Sequence, residues 1–199
     1  EKTMSAQFHK WKRRRFIQFA FGGVLAGLSH RAPGQTADDE PIFHFGMIAD
    51  AQYVDAPASG SRHYRASIEK MAKCVERLNR SPLAFTVHLG DFIDRKAESF
   101  EKIAEPFNQL KSRRYHVLGN HDFSVEDIDA VPARYGLEKT YYDFAHEGWR
   151  FVILDSNDLS LYATKPGSKK REAALKTLEE LKKKKAPNAH NWNGGLSDE

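Results

Sequence analysis

Gly90-Asp91-Phe92-Ile93-Asp94 decides the fold, because this stretch directly follows the apolar run from Leu83 to Leu89. A short apolar run bounded by a turn signal is typical of a buried strand. Two other stretches follow apolar runs in the same way, namely Asp50-Ala51-Gln52 and Gly119-Asn120-His121-Asp122. Three strand ends that bring carboxylate, amide and imidazole groups to one sheet edge predict a two-metal site. One carboxylate can bridge two cations that lie about 3.5–4 Å apart.

The segments between these strands have helical periodicity. Apolar residues recur there at intervals of three and four, which predicts two amphipathic helices that pack on the sheet. These residues are Tyr64, Ile68, Met71, Val75 and Leu78 in the first segment, and Phe100, Ile103, Phe107 and Leu110 in the second. The alternation of strands and helices favours a largely parallel sheet with helical crossovers.

Two further helices are predicted later in the chain. Ser124 has the character of a helix start, and Pro132 limits that helix to a short one. Ser168 is predicted to cap a longer helix that runs to about Lys185 and stops before Pro187.

A β-hairpin is predicted between these two helices. Residues 140–145 and 149–154 have strand character and are separated by His146-Glu147-Gly148. The later part of the sheet is therefore expected to be antiparallel, and the preceding strand is placed at residues 115–118.

The three metal-type stretches, in this order and spacing, resemble the calcineurin-like metallophosphoesterase family. Gln52 stands where most of that family has His. This departure resembles a subgroup, the manganese-dependent ADP-ribose/CDP-alcohol diphosphatases, which carry Gln there. The subgroup resemblance extends to residues 62–67, 154–160 and 193–197.

The resemblance implies an α/β fold, the N-terminal part of a four-layer α-β-β-α sandwich with a mixed sheet. It also implies a ligand set for two divalent metal ions. Asp50 and Gln52 would hold the first metal, Asp91 would bridge both, and Asn120 would hold the second. His121 would contact the phosphate or protonate the leaving group. The neutral Gln52 amide favours manganese over softer metals such as zinc.

Four other residues near these motifs have two possible roles each. Asp94 would orient neighbouring groups, or it simply caps the turn after the preceding strand. Arg62, Tyr64 and Arg65 are expected on the first crossover helix, close to the site. They would bind a substrate phosphate, or they are an ordinary helix face with a core tyrosine.

Two histidines and one cysteine are expected to be structural. His88 and His116 lie within predicted strands and are expected to be hydrogen-bonded core residues rather than ligands. Cys74 is the only cysteine in the sequence, so neither an intrachain disulfide nor a Cys-based zinc site can form.

The family pattern continues with a further His and G-H-x-H. No G-H-x-H occurs before Glu199, and His146 and His190 do not stand in the contexts of the family's late histidines. We therefore expect a C-terminally truncated metallophosphoesterase domain at residues 38–199, whose second metal shell is short of ligands.

The resemblance implies hydrolysis of phosphoanhydride bonds in nucleoside diphosphate-linked small molecules, such as ADP-ribose and CDP-alcohols, by metal-activated water. Two alternatives remain at this point. The protein could be a generic exported phosphomonoesterase or phosphodiesterase, or a truncated, non-catalytic remnant.

Residues 1–37 are predicted to be an export signal rather than part of the fold. Residues 12–18 resemble a twin-arginine motif, and the apolar stretch from Phe16 to Leu28 is too short to span a membrane. This order predicts a periplasmic or extracellular product with no membrane role beyond export. The alternatives are an uncleaved amphipathic anchor and a start assigned wrongly, upstream of Met4.

The net charge of +4 comes from this leader. Residues 1–37 hold seven Lys or Arg and one acidic residue, so the other 162 residues hold 24 basic and 26 acidic ones. Their net charge of −2 argues against a nucleic-acid partner.

Overall fold

Three parallel strands form the central sheet of the computed structural model, which describes residues 40–197. Strand β1 is His44–Ile48, β2 is Leu83–His88 and β3 is Arg113–His116, in the order β1-β2-β3. Residue Thr86 pairs with Gly46 on one side and with Arg114 on the other. The predicted parallel sheet is confirmed, although β3 begins two residues earlier than expected. The predicted export segment at residues 1–37 lies outside the described residues.

Two crossover helices cover one face of this sheet. Helix α1 is Ala66–Leu78 and α2 is Ser99–Phe107. The predicted apolar stripes are confirmed within these helices, because Met71, Val75 and Ile103 are buried in one core. Two predicted members of the stripes, Tyr64 and Leu110, lie outside the helices. Helix α1 begins only after Arg65, so the prediction that Arg62, Tyr64 and Arg65 lie on this helix is wrong.

The predicted hairpin is confirmed as β4, Tyr142–His146, and β5, Trp149–Ile153. It packs on the opposite face of the sheet through aromatic rings. The Phe144 ring lies 3.6 Å from the Tyr115 ring and 5.0 Å from the Phe85 ring, centroid to centroid.

The expectation that this hairpin continues the central sheet is wrong, since β4 and β5 form a separate two-stranded sheet. The Tyr142 hydroxyl explains the difference. It donates to the His116 carbonyl oxygen at 2.7 Å and accepts from the His116 backbone N–H at 3.1 Å. Both backbone groups of His116 at this edge therefore have a side-chain partner, so they are not open to another strand.

The remaining elements lie towards the end of the described chain. Helix α3 is Val131–Arg134, α4 is Lys169–Lys183, and two short strands, β6 at Leu159–Ser160 and β7 at Gly194–Gly195, pair antiparallel. The predicted cap of α4 is confirmed, because Ser168 Oγ accepts from the Arg171 N–H at 3.2 Å. Nowhere in residues 40–197 is there a helix of the length and apolarity needed to cross a bilayer.

The prediction of a helix start at Ser124 is wrong. Ser124 Oγ donates to the Asn120 carbonyl oxygen at 3.4 Å instead, and the short helix α3 begins at Val131. Pro132 stands in the first turn of α3 rather than at its end. Proline suits that position because the first N–H groups of a helix need no partner within it.

His88 and His116 lie side by side beneath the strand ends, with ring centroids 6.1 Å apart. His88 Nδ1 accepts from the Gly90 N–H at 3.3 Å. The expected core placement of both histidines is confirmed. Within residues 40–197, however, the buried His88 Nε2 and His116 Nδ1 have no hydrogen-bond partner, so the expectation that they are hydrogen-bonded is wrong for these two atoms. Burial lowers the pKa of His88 to about 3 and that of His116 to about 4.

These pKa values predict a loss of stability in mild acid. Both folded-state values lie below the unfolded value near 6.5, so the unfolded state binds more protons between those limits. The free energy of unfolding should therefore fall as the pH drops below about 6.5, by up to about 1.4 kcal/mol per pH unit for each histidine.

Urea unfolding of wild type and His116→Phe between about pH 7.5 and 4.5 measures this effect. Phe suits the site because His116 packs against the rings of Phe107 and Tyr135. The stability of His116→Phe should depend less on pH than that of wild type, whereas substitution of the exposed His190 by Gln should change nothing. Identical pH profiles for wild type and His116→Phe would contradict the prediction.

Candidate metal centre

The loops after β1 and β2 run side by side at the carboxyl edge of the sheet. The Asp50 N–H donates to the Gly90 carbonyl at 3.2 Å, and the Gln52 N–H donates to the Asp91 carbonyl at 2.8 Å. Asp50, Gln52 and Asp91 have φ angles of 55°, 41° and 55°. Residues other than glycine seldom adopt such angles, and strained backbone of this kind is concentrated at functional sites.

This backbone brings three of the predicted metal ligands into contact. Gln52 Nε2 lies 3.4 Å from Asp50 Oδ1 and 3.3 Å from Asp91 Oδ2. Between residues 40 and 197, no Lys, Arg or His forms an ion pair with either carboxylate. Two carboxylates therefore face one neutral amide without a compensating positive charge.

A hard divalent cation fits this donor set. Carboxylate and amide oxygens are the ligands that such ions prefer. A rotation of the Gln52 amide group by half a turn would place its oxygen, instead of its nitrogen, beside the two carboxylates, where all three groups could bind one cation. Within the described part of the chain, no group of three or more His, Cys, Asp or Glu could hold a metal. The centre therefore depends on amide oxygens as well as on Asp50 and Asp91.

Asn120 follows β3 and is the fourth predicted ligand. It lines the same cleft as Asp50 and Asp91, and its Oδ1 accepts from Asn193 Nδ2 at 3.5 Å. Gly119, just before it, has no room for a side chain, since a Cβ there would lie 2.8 Å from Asp91 Cγ. Because glycine has no side chain, the loops after β2 and β3 can approach each other at this point.

Asp122 helps to hold these two loops together, a role that the sequence motif did not predict. Its fully buried carboxylate accepts from the backbone N–H groups of Asp91 at 3.0 Å, Phe92 at 2.9 Å and Ile93 at 3.2 Å. It also accepts from the Gly119 N–H at 2.8 Å. Its place in the Gly119-Asn120-His121-Asp122 motif, next to two predicted site residues, was the available sequence signal.

Tyr135 completes this network from the end of α3, with its hydroxyl 2.6 Å from Asp122 Oδ1. Burial raises the pKa of Asp122, and the hydrogen bonds from Tyr135 and the backbone act against that shift. Burial and the adjacent carboxylate raise the pKa of Tyr135 far above its usual range, so the phenol stays protonated and donates.

His121 is tied to both predicted acidic residues of the second loop. Its backbone N–H donates to Asp91 Oδ1 at 2.9 Å, and its ring Nδ1 lies 2.9 Å from Oδ1 of the buried Asp94. Arg95 Nε lies 3.3 Å from the other oxygen of Asp94. With Asp94 as the acceptor in this contact, the proton lies on Nδ1 and Nε2 is left for proton exchange.

A cleft of about 380 Å³ opens over the centre. Asp50, Asp91 and Asn120 lie in its lining, whereas Gln52 and His121 lie beside it. The other wall comes from Ser156, Asn157 and the segment 188–194. The sequence analysis did not predict a role for most of that segment, because no local pattern indicates that it approaches the loop after β3.

The structure does not bring Arg62, Tyr64 or Arg65 into the lining of this cleft. Arg65 Nε forms an exposed ion pair with Asp55 Oδ1 at 2.6 Å. Tyr64 is buried, with the Arg95 guanidinium 5.1 Å from its ring centroid. Their role in substrate binding stays a prediction.

Residues 43–195 match the model of the calcineurin-like phosphoesterase family, and the chain therefore belongs to this family. The family resemblance predicted from the sequence is confirmed.

Curated relatives share the subgroup's name. The manganese-dependent ADP-ribose/CDP-alcohol diphosphatase of Arabidopsis thaliana is 32% identical over 183 residues, which cover 82% of this chain and 57% of the relative. The protein of the same name from Mus musculus is 30% identical over 211 residues, which cover 84% of this chain and 62% of the relative. The chain thus spans only somewhat more than half the length of these relatives.

A crystal structure of a dimetal phosphatase from Danio rerio has the same fold. It superimposes with a TM-score of 0.68 at 24% sequence identity, over 80% of this chain and 62% of that one. The predicted α/β fold class is confirmed.

Proposed function

We propose that the protein hydrolyses the phosphoanhydride bond of nucleoside diphosphate-linked small molecules, with ADP-ribose and CDP-alcohols as the substrate class and manganese as the metal. The observation that carries the proposal is the uncompensated pair Asp50 and Asp91 around the Gln52 amide. The names of the curated relatives support the substrate class and the metal.

Each polar residue of the centre has a role in this proposal. Asp50 and Gln52 would hold one cation, Asp91 would bridge two, and Asn120 would hold the second. When bound, divalent cations neutralise phosphate charge and lower the pKa of a coordinated water.

His121 and Asp94 would together supply the proton that the leaving group takes up. The Nε2 atom of His121 would donate a proton to the departing phosphate oxygen or bind a phosphate oxygen. Asp94 keeps the Nδ1 proton of His121 in place and so fixes the tautomer and the ring direction.

We propose further that residues 1–37 direct the folded domain, residues 38–199, out of the cytoplasm. The twin-arginine-type motif at residues 12–18 supports this proposal. Comparing the mass of the mature protein with that of the translated sequence tests it, and an uncleaved cytoplasmic product would contradict it.

The activity test uses the protein expressed from its complete reading frame, freed of metal and reloaded with manganese, magnesium or zinc. ADP-ribose should be split to AMP and ribose 5-phosphate, and a CDP-alcohol to CMP and the phosphorylated alcohol. An aryl phosphate should react far more slowly, with manganese giving the highest rate. Preference for the aryl phosphate, or no metal-dependent hydrolysis, would overturn the proposal.

Replacing Asp94 by Asn should lower kcat by about 10–100-fold with little change in KM. An amide in place of the carboxylate no longer selects the Nδ1-protonated tautomer, while the substrate contacts remain. Steady-state kinetics on ADP-ribose measures the effect, and the exposed Asp143→Asn is the matched control. A rise in KM with unchanged kcat would contradict the positioning role.

A further inference from the structure

We propose that Trp192 and the neighbouring asparagines form a subsite for the nucleoside part of the substrate. This inference deepens the proposed function and rests on it. The observation that supports the inference is that the charged residues of the cleft lie on one side only. Of the described residues that line the cleft, only Asp50 and Asp91 are charged, and both lie on the metal side.

The opposite wall is neutral and rich in amides. It contains Asn157, Asn188, Asn191, Trp192 and Asn193. Such a wall offers no cation for a phosphate. Amide groups both donate and accept hydrogen bonds, which suits ribose hydroxyls and base edges. The two walls therefore match the two halves of a nucleotide, the charged phosphate and the uncharged nucleoside.

This wall is built into the fold rather than attached loosely. The pairing of β7 with β6 holds Gly194 and Gly195 beside Leu159 and Ser160. Just beyond them, the Ser197 N–H donates to Asp158 Oδ2 at 2.9 Å.

The other part of the wall is tied to the loop after β3, which contains Asn120. The buried Asn157 side chain donates to the Leu118 carbonyl at 2.9 Å, one residue before Gly119. Asn193 Nδ2 approaches Asn120 Oδ1 at 3.5 Å. Both walls therefore keep a fixed spacing across the cleft.

The Trp192 ring is the part of this wall best suited to a base. It is half-buried, and no other aromatic ring of the described residues packs on it. Aromatic rings in the core behave differently, since the Phe85 ring packs against those of Phe144 and Phe151. A tryptophan face in a nucleotide-sized cleft can stack on any base, and loss of such stacking weakens binding by about tenfold or more.

Calorimetric titration with AMP and with inorganic phosphate tests the subsite on the manganese-loaded protein, independently of catalysis. Trp192→Ala should raise the Kd of AMP about tenfold or more and leave that of phosphate within about twofold. Trp192→Phe should retain most of the affinity for AMP. Leu196→Ala is the matched control, because Leu196 is exposed, lies beside the wall and is outside the cleft lining.

Three results would overturn the subsite. Trp192→Ala could weaken AMP and phosphate equally, which would indicate a structural role. It could leave both unchanged, or wild type could bind AMP no more tightly than phosphate. Failure of the proposed function would give a different result. AMP would still bind in a way that depends on Trp192, but the protein would not hydrolyse ADP-ribose.

Discussion

Asp122→Ala is expected to lower the free energy of unfolding by about 3–5 kcal/mol. The substitution leaves the N–H groups of Asp91, Phe92, Ile93 and Gly119 without their common acceptor. Buried donors that lose their partner cost their full desolvation energy. The loops after β2 and β3 should also be held together less firmly, because the Asp122 carboxylate accepts hydrogen bonds from both of them.

Urea unfolding of the metal-free protein measures this loss, and two variants divide it into parts. Tyr135→Phe removes one donor and leaves the carboxylate, so it should cost only about 1–2 kcal/mol. Asp127→Asn changes an exposed aspartate in the following loop and should be close to neutral. If Asp122→Ala unfolds at the same urea concentration as Asp127→Asn, the carboxylate does not hold the loops.

The strand ends and their polar residues could be predicted because the signals are local. An apolar run followed by Gly90-Asp91 or Gly119-Asn120 specifies both the buried strand and the group at its end. Parallel pairing then places Asp50, Asp91 and Asn120 at one edge, so their order in the chain suffices to predict that they meet.

The parts that were predicted wrongly or missed depend on contacts distant in sequence. The bond from Tyr142 to His116 separates the hairpin from the central sheet, and no local pattern announces it. The short pairing of β6 with β7 brings Trp192 over the cleft, although two glycines carry little strand propensity. Asp122 has a carboxylate like those of the predicted ligands. In the structure, however, it is buried and accepts hydrogen bonds from the backbone of the two loops.

Asp91→Asn is expected to have opposite effects on activity and on stability. Hydrolysis of ADP-ribose, the proposed activity, should fall more than about 100-fold, because loss of the proposed bridging ligand costs more than loss of an outer contact. The metal-free protein should become more stable by about 0.5–1 kcal/mol, since the repulsion between Asp50 and Asp91 disappears. Asparagine keeps an oxygen for the His121 N–H, so the loop geometry is preserved.

The pairing of these two measurements is what identifies a metal centre. If a carboxylate serves the fold, removing its charge should make the protein less stable, as expected for Asp122. If the carboxylate serves to bind a cation, the variant that lacks it should be more stable than wild type in the absence of metal. Added manganese should then raise the stability of that variant only weakly. Manganese titrations of wild type, Asp91→Asn and the exposed Asp143→Asn followed by thermal unfolding distinguish the cases. Equal manganese stabilisation of all three would place the cation elsewhere than at Asp91.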